Sequence, residues 1–143
     1  MKRLVFAAML LVAPAARAAD LHIEITGVRN NTGNVLVALC GREDFLKPHC
    51  DIQASVPAYR GTVSMNLTNI PAGTYAVQAF HDENGNGVLD RTLLGIPKEG
   101  MGFSRNAPMR FGPPAFDDAA VNVAGDTDIT FALRYSRWRA VVQ

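Results

Sequence analysis

The stretch His81-Asp82-Glu83-Asn84-Gly85-Asn86-Gly87-Val88-Leu89-Asp90 gathers the side chains of this chain best suited to chemistry. Side-chain oxygens stand at Asp82, Asn84, Asn86 and Asp90, and the Val88 carbonyl adds a further acceptor. Counted from Asp82, oxygens fall at positions 1, 3, 5 and 9, glycine at 6 and a carbonyl at 7, the order in which an EF-hand loop winds around Ca²⁺. A hard cation needs several oxygens converging at about 2.3 to 2.6 Å, and alternate residues in a glycine-assisted turn provide them. The match stops at position 12, where Leu93 replaces the bidentate glutamate, and no helical pattern flanks the loop. Two carboxylates with two amides make a weakly charged site, of affinity about 10⁻⁴ to 10⁻³ M. Glu99, Asp117 or Asp118 could complete its shell. The same residues also spell a plain turn, because Asn and Gly tolerate positive φ and Asp and Asn hydrogen-bond their own backbone. Calcium as cofactor and a metal-free turn both remain open at this point.

Catalytic constellations are poorly represented. His22, His49 and His81 are scattered, and there is no Gly-x-Ser-x-Gly elbow, His-Glu-x-x-His pair or phosphate loop. An enzyme needs a nucleophile or acid/base set with an activating partner. Ser104 beside Arg105, or His81 beside Asp82 in a hydrolase-type site, are the residues from which one could be built, and a surface serine and a strand-end histidine are the commoner meaning of both. The expectation is a protein without enzymatic activity.

The segment 91–118 offers a different chemistry. Glycines at 95, 100, 102 and 112 and prolines at 97, 108, 113 and 114 interrupt it, yet Leu94, Ile96, Phe103, Phe111 and Phe116 argue for order. A loop of this length inside a compact domain is usually functional. Phe103, Arg105, Arg110, Phe111 and Phe116 form a candidate ligand-binding set for an extended peptide, a glycan or another envelope protein. Equally, the aromatics could anchor the loop to the sheet and the arginines could pair with Asp117 and Asp118. The tail from Arg134 through Trp138 to Arg139 carries Arg and Trp suited to an anionic membrane surface. It reads first as a frayed strand end in a short tail 136–143, so membrane contact is not expected from it.

Compartment and size constrain these options. Lys2 and Arg3, the apolar run Leu4 to Val12, and Ala16-Arg17-Ala18 have the pattern of a secretory signal peptide over residues 1–18, with cleavage expected after Ala18. The apolar run is well short of the roughly 20 residues a membrane span needs. Processing leaves 125 residues with 11 basic and 13 acidic side chains, a formal charge of −2, which does not favour nucleic acid. That length suits one domain, residues 19–143. The expected location is periplasmic or secreted. There an even cysteine count reads as a disulfide, Cys40 to Cys50, closing a loop worth about 2 to 3 kcal/mol. A redox or metal pair with His49 lacks the compact spacing such sites use.

The elements that must position these residues are strands. Period-two alternation or strand composition marks 21–25, 35–39, 62–68, 74–80, 121–123 and 127–135, separated by turn formers such as Asn30 to Asn34, Asn69 to Gly73 and Gly125-Asp126. The first two strands read as an opening hairpin. Gly41 to Cys50 reads as a loop in which Phe45 and Leu46 could hold a helical turn. No amphipathic helix longer than two turns is evident. The expected fold is an all-β antiparallel sandwich of six or seven strands with one long ordered excursion, 91–118.

Four segments in order, Asn69-Ile70-Pro71-Ala72-Gly73-Thr74-Tyr75-Ala76-Val77, Phe80 to Gly87, Leu94 to Gly100 and Phe111-Gly112-Pro113-Pro114-Ala115-Phe116, closely resemble the bacterial exported family called domain of unknown function 2141. The resemblance spans nearly all of the chain after Ala18 and implies no particular activity. More loosely, the Pro71-to-Val77 strand entry resembles prealbumin-like and collagen-binding-B-type β-sandwich modules. That similarity implies fold, and some such modules hold calcium in Asp/Asn-rich turns.

Overall fold

The computed structural model describes residues 17–136. Most of the expected signal peptide and nearly all of the 136–143 tail lie outside the described residues. Eight strands, β1 (Ala19–Val28), β2 (Asn34–Cys40), β3 (Ile52–Pro57), β4 (Gly61–Ile70), β5 (Gly73–Asp82), β6 (Met101–Phe103), β7 (Ala120–Val123) and β8 (Thr127–Ala132), form two facing sheets. One sheet has the order β4-β1-β8. The other runs β3-β2-β5, and the far edge of β5 is shared end to end by β6 and β7. A short 3₁₀ turn (Ser104–Asn106) and the four-residue α1 (Phe116–Ala119) lie between β6 and β7. Among the described residues no helix is long and apolar enough to cross a membrane.

Alternation places the core between the sheets. Ala19, Leu21, Ile23 and Ile25 of β1 are buried at every second position, as are Val35, Val37 and Leu39 of β2. Met65, Ile23 and Ile129 fall in one row across the first sheet, and Val63, Ile25 and Phe131 in the next. Opposite them stand rows such as Leu39 with Val77 and Val37 with Ala79. Side chains of paired residues share a face, so these rows meet as two interlocking apolar surfaces.

The strand positions follow the sequence pattern, but the pairing differs from it. The expected opening hairpin does not form: β1 pairs antiparallel with β4 and parallel with β8, while β2 pairs with β3 and β5. Placing β1 and β2 in opposite sheets lets their apolar faces bury each other, which a hairpin within one sheet would not do. The turn at Gly125-Asp126 likewise carries the chain from one sheet to the other. Eight strands stand where six or seven were expected: β3 is an edge strand whose alternating Ile52, Ala54 and Val56 are only partly buried, and β6 is only three residues long inside the excursion.

A second apolar cluster covers the outer face of the five-stranded sheet. Phe103 pairs with Gln78 and therefore shares the face of Ala76, opposite to Val77. Ala76, Phe103, Ala107, Phe116 and Ala119 pack there with Phe45 from the disulfide loop. The Cys40–Cys50 bond, with Cα atoms 5.1 Å apart, ties that loop to the end of β2. The molecule thus has a third, irregular layer made from 41–50 and 104–119. The two-sheet arrangement is loosely compatible with the prealbumin-like resemblance, at the level of architecture alone.

Candidate functional site

The acidic loop leaves the end of β5 at Asp82, whose carboxylate is buried. Asp82 Oδ1 accepts the Asn86 N–H at 3.1 Å and Oδ2 the Gly87 N–H at 2.8 Å. Asn84 Oδ1 also accepts from Asn86 N, and Asn86 Oδ1 accepts from Val88 N. Gly85 and Gly87, at φ of 71° and 73°, supply the left-handed steps that bend the chain back. Asp90 then accepts from Asn84 Nδ2 at 2.6 Å and from Asn86 Nδ2 at 3.3 Å on both oxygens. The loop also depends on Gly33, where a Cβ would lie 1.9 Å from the Asp82 carbonyl oxygen.

Beneath the loop lies Glu99, almost fully buried, which sequence reasoning named only as one of three possible completing ligands. Its Oε1 accepts from Glu83 N and its Oε2 from Asp90 N, both at 3.1 Å, so one side chain clamps both ends of the loop. Burial pushes the Glu99 carboxyl above its ordinary range; the two N–H donors oppose this, and the charges of Asp90 and Asp82 add to it. Asp117 and Asp118 take no part. Asp117 pairs with Arg42 on the irregular layer, and Asp118 lies in α1. Asp82, Asn84, Asn86 and Asp90 are therefore brought together, with the Val88 side chain pointing to solvent. By donor chemistry the set fits a hard cation. As arranged, the two amides turn nitrogen toward Asp90, and a half-turn of each would present oxygen instead. Among the described residues no group of three or more His, Cys, Asp and Glu side chains has metal-holding geometry.

His81 is fully buried and both ring nitrogens are engaged. Nε2 lies 2.7 Å from the Thr32 carbonyl, which can only accept, so Nε2 carries the hydrogen. Nδ1 lies 2.9 Å from the Tyr135 hydroxyl, which in turn accepts the Arg29 N–H. The Arg29 guanidinium stacks 4.6 Å from the Tyr135 ring centroid and donates to Glu83. These contacts close the end of the sandwich around a fully buried histidine. His22 bonds Asn66 on the outer surface of the other sheet, and His49 is exposed in the disulfide loop.

Ser104, the other residue with nucleophile chemistry, is also fully buried. Its hydroxyl donates to the Ala119 carbonyl and accepts the Val77 N–H at 3.0 Å, filling the gap where β6 ends and β7 has not begun. It is the staple that fixes the excursion to β5, and no sequence signal distinguishes it from an exposed serine.

The candidate binding set divides in two. Phe103 and Phe116 point inward, and Phe45 packs edge-on between them with ring centroids at 5.8 and 5.7 Å. Arg42 covers the Phe116 ring at 4.6 Å and pairs with Asp117. Arg105, Arg110 and Phe111 point outward. Arg105 and Asn106 adopt left-handed backbone, φ 59° and 50°, which costs roughly 1 to 2 kcal/mol per non-glycine residue. Arg105 Nη1 donates to the Asp117 carbonyl, and Asn106 Oδ1 accepts from Ala132 N, so both unusual residues are tied down. Arg110 and a fully exposed Phe111 line an open depression of about 660 Å³ together with Pro108, Pro113, Pro114 and Asp118. A second depression of about 510 Å³ opens near the disulfide, bordered by Asp44, Asp51, Ile70 and Tyr75.

Fold and site together define a two-sheet β-sandwich with an irregular outer layer pinned to one sheet. A family model described as an uncharacterized protein conserved in bacteria, domain of unknown function 2141, matches residues 23–130, from within β1 to within β8, and the chain belongs to that family. No curated protein and no solved structure matches the chain.

Proposed function

We propose that this protein is an exported, non-enzymatic binding module of the bacterial envelope whose recognition surface is the ridge carrying Arg105, Arg110 and Phe111. The observation that carries this is the division of the aromatics: Phe103 and Phe116 spend their area anchoring the excursion, while Phe111, at 106 % exposure, stands outside any packing. A large ring held in solvent by proline-rich backbone between two arginines suits an extended peptide or glycan, which binds by stacking and charge-assisted hydrogen bonds. Export is supported by the first 18 residues and by the position of Ala19, the first buried residue among those described, directly after the expected cleavage point. The test is a pair of variants in a cross-linking pull-down from envelope extract. Phe111→Ala should keep stability within about 0.5 kcal/mol and lose the partner. Phe116→Ala should lose about 3 to 5 kcal/mol. Capture of the same partner by Phe111→Ala at wild-type yield would overturn the assignment.

A second reading rests on a separate observation: Asp82, Asp90 and Glu99 meet at one loop, where backbone N–H groups and side-chain amides donate to all three carboxylates. A calcium ion of weak affinity would neutralise this cluster, with Asp82, Asp90, the turned amides of Asn84 and Asn86, and the Val88 carbonyl as ligands. Millimolar Ca²⁺ should then raise the melting temperature, and Asp82→Ala should abolish the response. A melting curve indifferent to both Ca²⁺ and chelator would leave the loop a metal-free turn.

A further inference from the structure

Pro57, Asn34 and Asp82 lie in one row across the five-stranded sheet, so the loops after β3 and β5 leave from the same end of the sandwich. The disulfide sits at the other end, where Cys40 pairs with Ala76. At the first end the segment 91–97 forms a closed turn. Thr92 N donates to the Ile96 carbonyl at 2.8 Å, Gly95 N to the Thr92 carbonyl at 2.9 Å, and Arg91 Nη1 to the Gly95 carbonyl at 3.0 Å. Arg91 bridges Pro97, and Lys98 N donates to the Asp90 carbonyl, which joins the turn to the loop that Glu99 clamps. The tip of this turn is Leu93-Leu94, exposed by 108 % and 82 %. Val88 and Tyr59, on the adjoining and neighbouring loops, are also mostly exposed.

A turn tip is ordinarily Gly, Asn, Asp or Ser, and two leucines held out by hydrogen-bonded backbone need an apolar environment that the described residues do not provide. The charges at this end indicate which. Asp82 and Glu99 are buried, Glu83 pairs with Arg29, and Asp90 is covered by two amides. Exposed at the same end are Arg60, Arg91 and Lys98. The outward face is thus a convex apolar tip beside cationic side chains.

We propose that this tip docks on an anionic phospholipid bilayer, with Leu93 and Leu94 entering the acyl boundary and Arg60, Arg91 and Lys98 at the phosphates. A bilayer accepts a protruding side chain without a matching pocket, supplies the negative surface that the three cations complement, and suits Tyr59 at headgroup level. The surface is separate from the Phe111 ridge, so either assignment can fail without the other.

Co-sedimentation of the purified mature protein with phosphatidylethanolamine/phosphatidylglycerol vesicles tests the proposal, with phosphatidylcholine vesicles as the neutral comparison. Wild-type protein should bind the anionic vesicles and release in 0.5 M salt. Leu93→Ser should lower partitioning about tenfold, and adding Leu94→Ser should lower it further. Arg60→Ala with Lys98→Ala should lower it roughly tenfold on anionic vesicles only. All four positions are exposed, so melting temperatures should stay unchanged and confirm intact folds. Absence of wild-type binding, equal binding by the Leu93→Ser/Leu94→Ser variant, or binding that disappears on deletion of residues 136–143 would each overturn the proposal. A protein partner lost from the leucine variant in the absence of vesicle binding would overturn it too.

Discussion

Replacing Ser104 by alanine removes two hydrogen bonds from a site with no solvent access. The hydroxyl accepts from Val77 N–H and donates to the Ala119 carbonyl, and a methyl group satisfies neither. Each buried group left without a partner costs about 1 to 3 kcal/mol, offset in part because the hydroxyl itself no longer needs burial. A net loss of about 2 to 4 kcal/mol follows. For a domain near 125 residues, at about 2.1 cal/mol/K of unfolding entropy per residue, each kcal/mol lowers the melting temperature by about 4 °C, so the drop should be about 8 to 16 °C. Urea denaturation followed by tryptophan-independent far-UV circular dichroism measures the loss directly, with an unchanged m-value as the sign that the unfolded reference is the same. Ser55→Ala on the exposed face of β3 is the control and should stay within about 0.5 kcal/mol. Hydrogen exchange at Val77 should also quicken, because its amide loses its acceptor. A Ser104→Ala variant as stable as the control would refute the claim that one hydroxyl pins the excursion to β5.

The Glu99 carboxyl has a raised pKa in the folded state, so its stabilising contribution is fully present below its ordinary value of 4.5 and is lost as pH rises through the folded-state value. In the presence of chelator, the stability of wild-type protein relative to Glu99→Gln should therefore fall as pH rises above 4.5; a difference that is flat or rises would contradict burial as the dominant influence on this carboxyl. Reduction of Cys40–Cys50, or the Cys40→Ala/Cys50→Ala pair, should cost about 2 to 3 kcal/mol by freeing a short loop in the unfolded chain, and denaturant midpoints that coincide with and without reductant would refute this.

The loop from Asp82 to Asp90 was legible because its geometry is local: Asn and Gly at fixed offsets bend the backbone whatever surrounds them. Its clamp was less so, since Glu99, Asp117 and Asp118 are alike as carboxylates and only folding sends Glu99 beneath the loop and Asp117 to Arg42. His81 and Ser104 read in the chain as a strand-end histidine and a surface serine, and both are buried linkers in the fold, because their surroundings are set by Thr32, Tyr135, Val77 and Ala119, all distant in sequence. Leu93 read as the residue standing where a twelfth calcium ligand would be and Leu94 as one of the apolar residues ordering the excursion, yet both side chains stand in solvent.

Period-two alternation settles that this chain makes strands and that Ile23 and Phe131 face a core, and the spacing of its two cysteines suits one short tied loop. Those properties depend on neighbours a few residues away. Which strands become partners is decided elsewhere: the same apolar face of β1 could be covered by β2 in many ways, and burying it between two sheets, with β4 and β8 on its flanks, is the arrangement that also closes the corner where Met101 and Arg134 exchange backbone hydrogen bonds. The excursion shows the same limit at a single residue type. Phe103, Phe111 and Phe116 are chemically identical, and only the tertiary structure makes two of them anchors and the third a surface.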